Sequence, residues 1–371
     1  MRKTLFWALW ILLSLLACAA IAECALRMVR APDAANQIVY EQRRGYYVCP
    51  PSRELHFNLK NESGRDITLV TDEFGLRNPK GALRDADIVV LGDSFIMGSS
   101  TPEEETLVGQ LRRRGLKAYN AGVGGYSTFQ ASRLLEDLLK VKTPRVVVLA
   151  FYLGNDFRDN YFEPASGPRV QSGGAREQKA DTPKGSARGL KDTLNRLARY
   201  LLKRSRLFER LYQRLYLGLY KGYSASPMAS FALSEMESYR RVYSKEMREA
   251  VDKTDLAVSG IATLLKERNV KFLILGVPSK AQVAQSFNEI SRVSDDKRSK
   301  AYALKVIAGG YSFDVPDERM REIAAREGIP YVSLLEIFRN LGAYKVYYQV
   351  DPHWNPEGQK IAADCLVESL K

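Results

Sequence analysis

Two short segments far apart in the sequence contain the residue types of an activated serine nucleophile. Ser94 ends a Gly-Asp-Ser tripeptide after an apolar run, and His353 follows Asp351 shortly before the last predicted helix. A serine hydroxyl is a weak nucleophile until a base takes its proton, and a carboxylate then fixes the tautomer of that base. Since His56 is the only other histidine, Ser94, His353 and Asp351 form the candidate catalytic set.

Five short runs predict the strands that position these residues. Asp87–Gly92, Arg145–Phe151 and Lys271–Val277 are apolar and largely β-branched, as in parallel strands covered on both faces. Lys117–Ala121 and Pro330–Leu334 are shorter or more polar examples.

Helix-length segments with apolar residues at helical spacing separate the predicted strands. These are Thr106–Arg114, Thr128–Val141, Ser234–Arg268, Asp317–Glu327 and Pro356–Leu370. Strands that alternate with helices predict an α/β fold, a flavodoxin-like parallel sheet in a three-layer α/β/α arrangement. Ligands of such sheets bind beyond the carboxyl ends of the strands, so residues that directly follow strands should gather at one edge.

Four blocks in fixed order carry a family resemblance. Gly92–Phe95, Asn120–Gly125, Gly154–Asp156 and Asp351–His353 resemble the four blocks of the SGNH (GDSL) hydrolase superfamily, and the similarity extends from about Val70 to Leu370. A Gly-Asp-Ser tripeptide alone is weak evidence, because such a serine can simply cap the next helix. Four ordered blocks on matching elements are far more specific.

The resemblance implies a serine hydrolase that needs no cofactor. Ser94 would be the nucleophile, His353 the general base and later the acid, and Asp351 the residue that orients the histidine. The oxyanion hole would consist of the backbone N–H groups of Ser94 and Gly125 and the side-chain amide of Asn155.

The glycine of the oxyanion hole has alternatives. The loop is rich in glycine, so Gly122 or Gly124 could replace Gly125, and turn geometry alone could also explain these glycines.

One departure from the family leaves the reaction open. Most members place the aspartate three residues before the histidine, whereas Asp351 lies two residues before His353. This D-x-H block, followed by tryptophan, resembles the branch of alginate O-acetyltransferases. Within the resemblance the chain is an esterase acting on an O-acyl, above all O-acetyl, glycan, or an O-acetyltransferase with the same triad, or a lipase or thioesterase. A non-catalytic glycan-binding or assembly protein on this fold is the alternative from another class, and it predicts either a triad too far apart to hydrogen-bond or a pocket closed by the insertion.

The other polar candidates have structural interpretations. We expect Asp93 and Asp156 to hydrogen-bond neighbouring loops, and His56 to be a surface or sheet histidine. The sequence shows no metal site, because histidines are too few and the four cysteines lack metal-binding spacing.

The N-terminus predicts export. Arg2 and Lys3 precede the apolar segment Leu5–Ala22, which is close to the length of a membrane span. The first 30 residues are therefore a transmembrane anchor or, with cleavage near Ala20–Ala22, a signal peptide. Either alternative places the catalytic domain outside the cytoplasm, either tethered to the membrane or secreted.

Three further regions complete the predicted organisation. Residues 31–84 form an extension with a hairpin between Leu55–Leu59 and Asp66–Thr71, and residues 85–371 form the hydrolase-like domain. Within that domain, residues 164–230 combine a polar loop with a basic amphipathic helical stretch. This insertion could lie on an anionic membrane, roof the site and grip an acidic polysaccharide, or be a plain helical cap.

The net charge indicates which kinds of partner the protein binds, and the cysteine content raises the question of a disulfide. A net charge of +13 fits anionic glycans or lipid headgroups, and no nucleic-acid recognition motif is present. The expected partners are an acylated glycan and a membrane through the N-terminal helix, with a membrane-bound O-acyltransferase as a further partner in the transferase alternative. Cys49 and Cys365 could form a disulfide after export or remain buried thiols.

Overall fold

A computed structural model describes Trp7, Ser14 and residues 41–43, 45–59, 65–162, 235–285, 310–349 and 351–371. The elements below belong to one compact unit formed by Ala35–Val170 and Ala225–Lys371. The predicted insertion at residues 164–230 lies outside the described residues, as does the predicted anchor Leu5–Ala22 apart from Trp7 and Ser14. Among the helices that the structure does describe, none combines the length and apolar character needed to cross a membrane.

The described strands are β1 (Glu41–Gln42), β2 (Tyr47–Val48), β3 (Glu54–Leu59), β4 (Arg65–Val70), β5 (Ile88–Gly92), β6 (Ala118–Gly122), β7 (Val146–Tyr152), β8 (Lys271–Val277) and β9 (Tyr331–Ser333). The described α-helices are α1 (Ser94–Met97), α2 (Leu107–Arg113), α3 (Thr128–Leu139), α4 (Asp156–Phe162), α5 (Lys245–Lys266), α6 (Lys280–Ala284), α7 (Val315–Arg326), α8 (Leu335–Leu341), α9 (Ala343–Val346) and α10 (Pro356–Leu370).

The central sheet is parallel, in the order β6-β5-β7-β8-β9. In chain order its strands run 2-1-3-4-5, the flavodoxin-like arrangement, in which the order reverses beside β5. The prediction of a parallel α/β sheet is therefore confirmed. Each of the five strands begins and ends within one residue of its predicted bounds. Ser94 follows β5, so it lies at the point where ligands of such sheets bind.

Two apolar cores lie on the two faces of the sheet, as the alternation of side chains along β5 shows. Val89 and Leu91 pack in one core with helices α3, α5 and α7, whereas Ile88 and Val90 pack in the other with α2 and α10. Each fully buried side chain of this size contributes about 1.5–3 kcal/mol. Because helices cover both faces, the described elements form the expected three layers.

The prediction of one long helix over Ser234–Arg268 is wrong. The segment contains two separate helical stretches with a turn between them. Residues 235–238 are helical, Arg240 then forms a β-bridge with Tyr311, and α5 begins only at Lys245. The side chain of Ser244 accepts a hydrogen bond from the N–H of Met247 and caps the new helix. Apolar periodicity is the same in both pieces and could not reveal the break.

The N-terminal extension packs on the helix that carries Ser94. Strands β3 and β4 pair antiparallel where the hairpin was expected, from Glu54 opposite Val70 to Leu59 opposite Arg65. Ile67 and Leu69 of β4 cluster with Cys49 and with Met97 of α1.

Cys49 and Cys365 are free thiols in separate clusters, so the disulfide alternative is wrong. Burial raises the pKa of the Cys49 thiol to about 12, which leaves it protonated and unreactive at neutral pH. Cys365 lies on α10 and packs half-buried against the core on its side of the sheet.

A buried guanidinium connects the extension to the loop after α1. The Arg77 side chain is 1% exposed, and its Nε lies 2.6 Å from Glu103 Oε2. Its terminal nitrogens donate hydrogen bonds to the carbonyls of Met97 (3.0 Å), Gly98 and Thr101 (2.8 Å). Arg77 therefore satisfies the carbonyls at the C-terminal end of α1, which have no partner within so short a helix.

Replacement of Arg77 should destabilise the fold strongly. In Arg77→Ala the carbonyls and Glu103 lose a buried cationic partner, and we expect the free energy of unfolding to fall by about 3–5 kcal/mol. Arg326→Ala is the matched control, since Arg326 is 54% exposed and pairs with Asp255 on the surface, where the cost is about 1 kcal/mol or less. Urea unfolding of the full chain measures both values. Equal losses in the two variants would contradict the assigned role of Arg77.

Candidate active site

The turn between β5 and α1 presents Ser94. A Cβ on Gly92 would lie 2.6 Å from Ile96 Cγ1 and 3.2 Å from the Ala150 carbonyl oxygen, so only glycine permits this close turn. Asp93 caps the helix, because its Oδ1 accepts a hydrogen bond from the N–H of Phe95 at 2.9 Å. Ser94 is the first helical residue and remains half-buried.

The structure brings Ser94, His353 and Asp351 together. His353 Nε2 lies 2.7 Å from Ser94 Oγ, and His353 Nδ1 lies 2.5 Å from Asp351 Oδ1. With the Nδ1 proton on the aspartate side, Nε2 carries the lone pair that faces the serine hydroxyl. This is the arrangement in which a serine can be deprotonated as it attacks.

The two-residue spacing of Asp351 and His353 has a local explanation. Asp351 Oδ1 also accepts the backbone N–H of His353 at 2.9 Å, so the aspartate side chain folds back onto the chain two residues later. This turn also brings Nδ1 of the His353 imidazole to Asp351 Oδ1. A D-x-H block can thus orient a histidine without a third intervening residue.

The Asp351 carboxyl is held in its ionised form. Burial alone would raise its pKa, but the charge of His353 and hydrogen bonds from His353 and Ser100 outweigh burial and leave the pKa well below its ordinary value. Ser100 Oγ donates to Asp351 Oδ2 at 2.5 Å. Sequence reasoning did not identify Ser100, because a single serine in a loop gives no signal of a contact 251 positions away.

The His353 ring packs against a cluster of aromatic side chains. The ring centroid of Phe95, the residue after Ser94, lies 4.8 Å from that of His353 and 5.2 Å from that of the buried Trp354. Asn355 then caps α10, because its Oδ1 accepts the N–H of Gly358 at 3.0 Å. The histidine is therefore held between a packed aromatic cluster and a capped helix.

The glycine loop after β6 narrows the oxyanion candidates. Gly122 donates its N–H to Asn120 Oδ1 at 2.9 Å, so this N–H is not available, and the Gly122 alternative is wrong. A Cβ on Gly122 would lie 2.5 Å from the Met97 nitrogen, so close packing explains this glycine. Gly124 and Gly125 remain, and Gly125 has a φ of 76°, the left-handed region that favours glycine.

Asn155 follows β7 at the same edge of the sheet as Ser94. Its Oδ1 is buried and has no hydrogen-bond partner within the described part of the chain. The two candidate amide donors lie shortly after the strands that flank β5. Gly125 follows β6, and Asn155 follows β7. Their roles as oxyanion donors stay predictions.

Asp93 and Asp156 were expected to hydrogen-bond neighbouring loops, but each accepts a hydrogen bond from a backbone amide of its own strand-to-helix turn. Burial raises the pKa of Asp93 to about 6, against the opposing effects of the Phe95 N–H and the His353 charge. Burial, with the charge of Asp93 as the second cause, raises the pKa of Asp156 well above its ordinary value. Asp156 Oδ2 accepts the N–H of Tyr152 at 2.8 Å, so it shapes the loop that carries Asn155.

A buried glutamate on the segment after the insertion also supports this loop. Glu235 accepts hydrogen bonds from Tyr152 (2.6 Å) and Tyr239 (3.1 Å), and Tyr239 contacts Ser279 at 2.6 Å. Nearby, Ser238 Oγ donates to the Gly154 carbonyl at 3.0 Å. Burial raises the pKa of Glu235 to about 7. No sequence signal marked Glu235, because its partner Tyr152 lies 83 positions away in the sequence.

Two further expectations concern residues away from the triad. His56 lies on β3 with its side chain 69% exposed, 3.0 Å from Thr68 Oγ1 and 3.8 Å from Glu54, which is the sheet-surface position expected. Among the residues that the structure describes, no group of three histidine, cysteine or acidic side chains is placed to hold a metal ion.

Glu235 should make stability depend on pH. Because its folded pKa of about 7 exceeds the ordinary 4.5, the folded protein retains a proton that the unfolded chain releases at intermediate pH. Its stabilising contribution is therefore complete below about pH 4.5 and is lost as the pH rises through about 7. Glu235→Gln stays neutral, so its free energy of unfolding should gain about 3 kcal/mol relative to wild type between about pH 5 and 8.

Denaturant unfolding across this pH range measures the difference. The exposed Glu322, which pairs with Arg319 on the surface, provides the control Glu322→Gln, because a surface ion pair contributes only about 1 kcal/mol or less. A pH-independent difference between wild type and Glu235→Gln would contradict the protonated carboxyl.

Comparisons with known proteins show structural similarity at low identity. No family model matches the chain, and no curated protein matches it. A GDSL-like lipase from Bacteroides thetaiotaomicron is 12% identical, with 77% of this chain and 88% of that chain covered and a TM-score of 0.36. An acetyl xylan esterase is 13% identical, with 76% and 100% covered and a TM-score of 0.37.

A psychrotrophic esterase from a Pseudoalteromonas species is similar at the same level. It is 12% identical, with 76% of this chain and 95% of that chain covered and a TM-score of 0.34. At such TM-scores and identities, no conclusion about the activity of this chain follows from these similarities.

Proposed function

We propose that this protein is a serine esterase of the SGNH type that removes O-acyl groups, above all O-acetyl groups, from a glycan. The observation that carries the proposal is the hydrogen-bonded series from Asp351 through His353 to Ser94, with separations of 2.5 and 2.7 Å. The four ordered sequence blocks support the same class, and three of them lie at or shortly after the carboxyl ends of the parallel strands β5, β6 and β7.

In the proposed acylation step, His353 Nε2 takes the proton of Ser94 as Oγ attacks the ester carbonyl. The Asp351 carboxylate stabilises the imidazolium that results. The negative charge on the former carbonyl oxygen would be stabilised by the N–H groups of Ser94 and Gly125 and by the Asn155 amide. His353 then returns the proton to the departing sugar oxygen, which leaves as a hydroxyl group with the acyl group on Ser94.

Water completes the proposed reaction. His353 Nε2 removes a proton from water as its oxygen attacks the acyl-serine, and the collapse of the second tetrahedral intermediate releases the carboxylic acid and restores the Ser94 hydroxyl. An O-acetyltransferase would use the same intermediate with a sugar hydroxyl in place of water. No contact of the described residues favours a sugar acceptor, so hydrolysis is the proposed reaction.

The compartment and the substrate class are supported by sequence features alone. The apolar segment Leu5–Ala22 behind Arg2 and Lys3 supports a membrane-tethered or exported enzyme, and the net charge of +13 supports an anionic glycan or membrane surface as its surroundings. An exported glycan or a cell-surface glycan is the substrate that fits such a location.

The non-catalytic alternative has less support. One of its two predictions was a triad too far apart to hydrogen-bond, whereas Ser94 Oγ and His353 Nε2 are 2.7 Å apart. Its other prediction, a pocket closed by the insertion, concerns residues outside the described part of the chain. The ionised state of Asp351 also suits a residue that must stabilise an imidazolium.

Loss of Ser94 or of His353, the two residues between which the proton moves, should abolish ester hydrolysis. For the full chain in detergent, we expect Ser94→Ala and His353→Ala each to lower kcat/KM for p-nitrophenyl acetate by about 10³-fold or more. The chain has only two histidines, so His56→Ala is the matched control and should retain wild-type turnover. Acetate release from an acetylated oligosaccharide, with and without an unacetylated acceptor sugar, then separates hydrolysis from transfer.

Two outcomes would count against the proposal. Equal turnover by wild type and Ser94→Ala would remove Ser94 as the nucleophile. Acetyl transfer to the sugar without acetate release would replace the esterase with the transferase.

A further inference from the structure

The Asp351 carboxylate is held from two sides by different parts of the chain. Oδ1 accepts both hydrogen bonds from His353, and Oδ2 accepts the hydroxyl of Ser100 at 2.5 Å. The whole residue is 6% exposed. In the part of the chain that the structure describes, Ser100 is the one side chain that donates to Oδ2.

Ser100 is itself fixed by the elements around it. Its carbonyl accepts the hydroxyl of Tyr348 at 2.8 Å, and the next residue, Thr101, contacts the same hydroxyl at 3.2 Å. The Thr101 carbonyl also accepts a hydrogen bond from Arg77. The loop from Gly98 to Thr101 is therefore tied to the extension on one side and to Tyr348 on the other.

Tyr348 links this loop directly to the catalytic histidine. Its backbone N–H donates to the His353 carbonyl at 3.1 Å while its hydroxyl holds Ser100. Ser100, Tyr348, Asp351 and His353 thus form one closed ring of contacts. A change at Ser100 would be transmitted to the imidazole through the carboxylate and not only through the backbone.

A carboxylate bonded at one oxygen alone can rotate about its Cβ–Cγ bond, because this torsion is broad. Rotation would exchange Oδ1 and Oδ2, tilt the acceptor away from His353 Nδ1, or admit water. A donor on Oδ2 restricts this rotation and satisfies a buried acceptor at the same time. The geometry of Ser100 meets both requirements.

We propose that Ser100 is a positioning residue of the catalytic unit, whose hydroxyl anchors Asp351 Oδ2 and thereby keeps Oδ1 on His353 and Nε2 on Ser94. The kinetic part of this inference rests on the proposed esterase function, whereas the alignment of Asp351 with His353 does not. A merely structural role for Ser100 would change folding stability and leave the imidazole unaffected.

Three variants and two measurements test the proposal on the full chain. Ser100→Ala removes the hydroxyl, Ser100→Thr retains it, and Ser132→Ala removes another buried hydroxyl that has no partner in the described part of the chain. The first measurement is kcat and KM for p-nitrophenyl acetate. The second is the NMR titration of the imidazole C–H signals, in which His56 serves as the internal reference because the chain has two histidines.

We expect Ser100→Ala to lower kcat about tenfold and to leave KM within about twofold, which corresponds to the loss of one buried hydrogen bond in the transition state. The midpoint of the His353 titration should fall by about half a pH unit or more, since a misaligned carboxylate stabilises the imidazolium less. Ser100→Thr should recover most of both changes, and Ser132→Ala and the His56 signal should not move.

Other outcomes overturn the proposal. These are a kcat within twofold of wild type, a lowered kcat with an unchanged or higher His353 midpoint, or equal effects of Ser100→Ala and Ser132→Ala. If Ser100→Ala does not fold, Ser100→Cys carries the test in the same direction, because a thiol is a weak donor of similar size. If wild type hydrolyses no ester, the proposed function fails, and the His353 titration alone still decides whether Ser100 aligns Asp351 with His353.

Discussion

The hydrogen bond between His353 and Ser94 joins positions 259 residues apart, and most of the described structure can be understood as the means of keeping it short. Ser94 is fixed by the parallel sheet through the turn at Gly92, and His353 is fixed by the segment before α10. The two sides meet in the apolar core that Phe95 and Trp354 share. Packing of α10 on the sheet therefore sets the distance over which a proton would move.

A second constraint is the burial of charge beside the nucleophile. Asp93, Asp156, Asp351 and Glu235 are all nearly inaccessible to solvent, and each is compensated differently. Asp351 is ionised because His353 and Ser100 supply partners, whereas burial raises the pKa of the other three carboxyls. Asp351 is thus the one of the four carboxyls whose ionised form its surroundings favour, and the other three chiefly shape loops through backbone and tyrosine hydrogen bonds.

The sequence predicted those parts of the structure that depend on local pattern. Apolar β-branched runs identified the strands of the sheet, and the triad followed from the scarcity of histidine together with four ordered blocks. Contacts that depend on tertiary proximity were missed: Ser100 with Asp351, Arg77 with the end of α1, and Glu235 with its tyrosines. The predicted helix Ser234–Arg268 was wrong because periodicity continues across the turn that Ser244 terminates by capping α5. Gly122 could not be excluded as an oxyanion donor from the sequence, because only the structure shows that its N–H donates to Asn120 Oδ1.

The proposed function depends most directly on whether Ser94 is a nucleophile that His353 activates. Labelling of the full-length protein with a fluorophosphonate, followed by peptide mapping by mass spectrometry, tests this without any assumption about the substrate. We expect one adduct per chain, on Ser94, formed rapidly by wild type and very slowly by His353→Ala. An adduct on another residue, or equally fast labelling of Ser94 without His353, would contradict it.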